Sequence, residues 1–103
     1  MLINPTNIGL YRMSKVLKIV ETPNLKAAFS SDLLGKAIQA KRTQSHLRLE
    51  DAASLCGVAK QTLMKIEHGH KSVRLDSVLH VCNGLGIKLQ ILPWEKETNG
   101  DWR

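Results

Sequence analysis

The stretch from Leu47 to Gly69, LRLEDAASLCGVAKQTLMKIEHG, decides the fold. Its pattern predicts two short helices around a tight turn, the first roughly Leu49–Cys56 and the second roughly Lys60–His68. Gly57 falls where the first helix must stop. The residue past a helix end often needs positive φ, which glycine adopts without a steric penalty. Ala52 and Cys56 lie four apart on one face with Ala53 beside them, and Val58, Leu63 and Ile66 supply the facing side. Small residues on the first helix let the second cross it closely.

Upstream, Ser31 followed by Asp32 predicts a helix start, with a carboxylate at the positive end of the helix dipole. That helix is expected over about Asp32–Thr43. Its buried stripe would be Leu34, Ala37 and Ile38, with Lys41 contributing its stem. Arg42 follows Ile38 by four residues and shares its face. An arginine there needs a partner, because an unpaired buried charge is strongly destabilising. Glu50 and Asp51 suit the first turn of the next helix, but Arg48 stands where a Ser or Thr cap would serve.

Downstream, residues 69–72 read as a loop. Leu75, Val78, Leu79 and Cys82 have helical spacing and predict a fourth helix over about Leu75–Leu85, frayed and ended by Gly84 and Gly86. IKLQIL (87–92) then alternates, with Ile87, Leu89 and Ile91 on one side, and Pro93 stops it. A lone strand after four helices has no partner in its own domain. An open edge is a template for another chain, which favours antiparallel pairing of 87–92 with its copy across a two-fold axis. A short extended tail packed on its own domain is the alternative.

The ends carry weaker patterns. KVLKIV (15–20) reads as a short strand able to add outer strands to such a ribbon, with an amphipathic helix or a leader without contacts as alternatives. Thr22-Pro23-Asn24 breaks any element there. The expected organisation is an extension over 1–30, a helical domain with its dimerisation strand over 31–92, and a mobile polar tail over 93–103 that contains Trp94 and Trp102.

The 103 residues are enough for one small domain. Lysine and arginine outnumber aspartate and glutamate 15 to 9, for a net charge of +6. About +3 falls on 1–30, +4 on 31–92 and −1 on 93–103. A basic balance favours a polyanionic partner. Cys56 and Cys82 fall on apolar helix faces and read as reduced core residues of a cytoplasmic protein. No apolar run is long enough to span a bilayer, and no clean signal peptide is expected.

Two helices joined this way form a helix-turn-helix arrangement, whose second helix is offered to a DNA major groove. From about Leu34 to Ile87 the chain closely resembles the lambda-repressor-like, or Xre, family of helix-turn-helix proteins. The residues that carry the likeness are Leu34, Ile38 and Arg42; then Leu47, Ala53, Gly57-Val58, Leu63, Ile66-Glu67 and Gly69; then Leu75, Val78-Leu79 and Leu85-Gly86-Ile87. The resemblance implies a mainly α bundle with four explicit helices, the family's fifth being shortened or replaced by the strand. It also implies that Arg42 pairs with Glu67, tying the first helix to the third. Two departures stand out. Arg48 and Leu49 replace the family's frequent Thr-Gln, so the phosphate grip must come from Arg48, from backbone N–H groups or from elsewhere. Ala59 cannot cap the recognition helix as the usual Ser does. Within the family, IKLQIL directly after the fourth helix and a tail with a penultimate tryptophan resemble HipB-type antitoxins. That likeness implies an operon repressor that also binds a HipA-like serine/threonine kinase toxin.

Readout is then expected along Lys60, Gln61, Met64 and Lys65, with Thr62 as an extra contact. Gln61 would pair bidentately with adenine, Lys60 or Lys65 would donate to guanine, and Met64 would touch a thymine methyl. The bland reading is a solvated helix face. Phosphate contacts are expected from Arg48, His68, His70, Lys71 and Arg74, which set register more than sequence preference; the histidines read equally well as ordinary surface residues. A zinc site from His68, His70 and Cys56 fits no closed spacing, and no cofactor is expected. The expectation is a cytoplasmic, nucleoid-associated homodimeric repressor of a toxin–antitoxin operon, acting on a palindromic operator. The alternatives are a stand-alone or phage-type repressor and a protein–protein adaptor that uses the helices as scaffold. RNA stacking is disfavoured because 31–92 contains no aromatic residue. No nucleophile–base pair, phosphate loop or metal cluster points to an enzyme.

Overall fold

The computed structural model describes residues 16–95. Its elements are four helices: α1 Ser31–Gln44, α2 Leu49–Cys56, α3 Lys60–Glu67 and α4 Leu75–Leu85. The bounds of α2 and α4 are those read from the sequence. In α1 the cap lies one residue earlier than predicted. Ser30 is extended and its hydroxyl accepts from the Leu33 N–H at 3.0 Å, so Ser31 is already helical. His68, predicted inside the third helix, is the residue that caps its carboxy-terminal end.

The core is a single apolar cluster drawn from all four helices. Ile38, Ala52, Leu63, Ile66, Val81 and Leu85 are among its buried members. The predicted stripe of α1 needs correction: Gly35, Ile38, Ala40, Arg42 and Thr43 are buried, Leu34 and Ala37 are half-buried, and Lys41 is exposed. The reason lies at the crossing of α1 and α3. A β-carbon on Gly35 would fall 2.5 Å from the Ile66 carbonyl oxygen, so only glycine lets the helices approach this closely. Gly84 plays the same part between α4 and α2, since a β-carbon there would lie 2.5 Å from Cys56 Sγ. It is therefore a contact residue inside α4 rather than a fraying position. Gly57 takes φ 74° between α2 and α3, as its place in the turn required.

Neither predicted strand is formed among the described residues. The described part of the first, 16–20, is irregular and docks through side chains of α1; Lys15 lies outside the described residues. Among the described residues the second, 87–92, is held at its start, where Ile87 packs on the core and its N–H donates to the Cys82 carbonyl at 2.8 Å as α4 ends. Beyond it Leu89 is 40% exposed, Ile91 83% and Leu92 67%. Ladder bonds require a second edge, and a single chain supplies none at this position. Trp94 is exposed, and Trp102 lies outside the described residues.

Candidate nucleic-acid interface

Helix α3 presents two chemically opposite sides. Leu63 and Ile66 are buried in the core. Lys60, Gln61 and Lys65 are exposed, and Thr62 and Met64 are half-buried along the flank between the two sides. This division follows from the 3.6-residue period of an eight-residue helix.

Glu67, the last residue of α3, faces inward and would be a buried lone charge without Arg42. Arg42 Nε donates to Glu67 Oε2 at 2.5 Å and Nη2 to Oε1 at 2.9 Å, a two-pronged carboxylate grip. Its third group, Nη1, donates to the Leu47 carbonyl at 3.0 Å. Both side chains are under 10% exposed. Arg42 thereby ties the end of α3 to α1 and to the loop before α2, which fixes the height at which α3 stands off the core.

The turn between α2 and α3 sets the angle of the exposed edge. Ala59 makes no side-chain cap, so the first N–H groups of α3 have no side-chain partner at that position and lie beside Lys60 and Gln61. Such N–H groups and the positive helix end suit a phosphate oxygen. Arg48 takes the N-cap place of α2 without capping it. Glu50, a dipole partner by its place in the first turn of α2, also reaches α3: its Oε2 lies 4.0 Å from Lys60 Nζ. The pair is half exposed on both sides, so it orients Lys60 at little energetic gain, under about 1 kcal/mol. It also shows that the starts of α2 and α3 are neighbours.

The other expected phosphate groups lie past the opposite end of α3. His68, His70 and Lys71 are exposed in the 68–74 loop, about 12 Å along the helix from Lys60 at 1.5 Å per residue. Arg74 is already engaged: Nε and Nη2 each reach Asp76 at 3.2 Å. That hydrogen bond and the guanidinium charge hold the Asp76 carboxyl below the usual carboxylate range. The expected residues thus fall into a central edge on α3 with a basic group at each end, and Arg74 would have to exchange Asp76 for a phosphate.

Cys56 is not available to a metal. It is buried, and its Sγ lies 3.6 Å from the Val81 carbonyl oxygen, to which it donates. Burial pushes its thiol pKa up. Cys82 is pushed up by burial and then by the nearby Cys56. Thiols of this kind are poorly reactive. Among the described residues no helix is long and apolar enough to cross a membrane.

A family model described as helix-turn-helix matches residues 38–92. No curated protein matches the chain.

Proposed function

The chain belongs to the lambda-repressor-like helix-turn-helix family and carries its DNA-binding, transcription-regulating domain; from that premise we propose that it is a sequence-specific repressor that reads duplex DNA with the outer edge of α3. One observation carries this reading. Lys60, Gln61 and Lys65 form an exposed donor-rich edge on a helix whose other side is fixed in the core by Leu63, Ile66 and the Arg42–Glu67 pair. Rigid backing is what lets hydrogen-bonding side chains discriminate base edges, each good bidentate pair giving about 1–3 kcal/mol. Arg48 at one end and His68, His70 and Lys71 at the other are the phosphate contacts.

The repressor acts as a homodimer joined through residues 87–92. Leu89, Ile91 and Leu92 are exposed beside Leu75 and Leu79 of α4. The groove they line with Phe29 and Leu34 measures about 960 Å³. An exposed apolar groove fits an interface, and pairing of 87–92 with its copy would cover it. Two α3 helices about one DNA turn apart would then read a palindrome. The partner protein is a HipA-like serine/threonine kinase toxin, a reading supported by IKLQIL directly after α4.

Selection of bound duplexes from a random-sequence pool tests the DNA reading. Enriched sequences with two inverted half-sites one helical turn apart are expected, and a bound pool with no common motif would contradict it. Co-expression with the product of a neighbouring kinase-like gene tests the partner. A stable complex supports the antitoxin role, whereas palindrome binding with no such complex leaves a stand-alone repressor.

A further inference from the structure

Residues 16–22 are held against the domain by a specific device. The Val20 N–H donates to Thr43 Oγ1 at 2.9 Å, and Gln44 Nε2 donates to the Val20 carbonyl at 2.9 Å and to Thr22 Oγ1 at 3.0 Å. The last turn of α1 therefore satisfies both backbone groups of Val20. Leu17 and Val20 are half-buried toward the domain, and Lys18 is exposed.

The location of this anchor matters. Gln44 is the last residue of α1, and the loop after it leads in four residues to Arg48, the N-cap of α2. Four residues span at most about 14 Å. Glu50, in the first turn of α2, meets Lys60 at the start of α3. The anchored arm is thus joined through one short loop to the start of α2, which meets the start of α3 at the proposed readout edge. We infer that residues 16–22 form a second DNA-contacting element, an arm pinned by Thr43 and Gln44 that lays Lys18 along the phosphate backbone beside the helix-turn-helix unit. The inference rests on the DNA-binding reading and extends its footprint.

A lysine on a phosphate raises affinity for all sequences alike and steepens its salt dependence, by about 0.9 in the slope of log K against log salt per contact. Glu21, exposed next to Val20, opposes the same phosphates. The test uses the full chain, one operator duplex and one random duplex of equal length, titrated over a salt series. Lys18→Ala is expected to lower the slope by about one per bound protomer and to weaken both duplexes by a similar factor at low salt. Gln44→Ala, which frees the Val20 carbonyl, is expected to do the same, and Glu21→Gln to strengthen both. Lys36→Ala, an exposed lysine within α1, is the matched loss of charge and should leave the slope unchanged. A slope unaltered by Lys18→Ala, or altered equally by Lys36→Ala, overturns the arm while leaving the α3 reading intact. A wild-type slope near zero overturns that reading itself.

Discussion

KVLKIV at 15–20 and IKLQIL at 87–92 are close relatives in pattern: six residues, mostly branched aliphatic, with polar side chains interleaved. The described part of the first docks on its own domain because Thr43 offers an acceptor and Gln44 a donor that match the backbone of Val20. The second is tied down only where it leaves α4, and its apolar side chains from Leu89 onward face outward. Similar strings therefore reach different ends according to what stands opposite them. A polar anchor within the chain satisfies one; the other needs a surface that a single copy does not hold. A β-type pattern states that an edge exists and says nothing of which chain completes it.

The comparison assumes a rigid helical frame to which both stretches attach, and the largest effect should come from breaking that frame. Arg42→Met leaves Glu67 as a buried, unpaired carboxylate and should remove about 3–5 kcal/mol of stability, read from urea denaturation. The double change Arg42→Met with Glu67→Leu should recover much of that loss, since apolar replacement of both partners is often neutral or better. Equal instability in the single and double variants would show that the frame depends on the shape of the grip rather than on its charge balance.

The next largest effect should fall on the unsatisfied stretch. Ile91→Lys places a charge in the proposed ribbon and is expected to weaken dimerisation by at least tenfold, measured by sedimentation. The melting temperature of the helical core at equal monomer concentration should hardly move. A wild-type chain that remains monomeric at micromolar concentration would remove the distinction between the two stretches.

The satisfied stretch should respond more weakly. Gln44→Ala removes two hydrogen bonds at an exposed site and should reduce stability by about 0.5–1.5 kcal/mol. It should also raise amide exchange at residues 18–22 selectively. The smallest effect concerns the surface pair after α3. The Arg74 hydrogen bond and charge lower the Asp76 pKa. Because the folded pKa is depressed, its small stabilisation is present above the ordinary carboxylate range and disappears as pH falls through the folded value. Arg74→Ala should move the Asp76 titration upward in an NMR pH series with little change in stability.

Much of the helical frame was legible in the sequence because its signals are local. Apolar spacing placed α2 and α4, and Gly57 marked the turn between α2 and α3. Ser30 was missed as a cap because two serines stand side by side and only geometry chooses between them. Gly84 looked like a helix breaker because a close helix crossing has no local signature; Gly35 went unmarked for the same reason. The docking of Val20 joins residues more than 20 positions apart through Thr43 and Gln44, neither of which stands out in its own helix. At the interface, the exposed edge of α3 followed from its periodicity. The role of Glu50 beside Lys60 did not, since it depends on how α2 and α3 are turned toward each other.

The central claim is that the outer edge of α3 reads bases. Fluorescence anisotropy with the duplex upstream of the chain's own gene tests it most directly, comparing wild type with Gln61→Ala at two salt concentrations. The account predicts nanomolar-range binding that weakens steeply with salt. It also predicts a loss for Gln61→Ala of about 1–3 kcal/mol on the operator and almost none on random duplex. Binding indifferent to salt, or an equal loss on both duplexes, would contradict it.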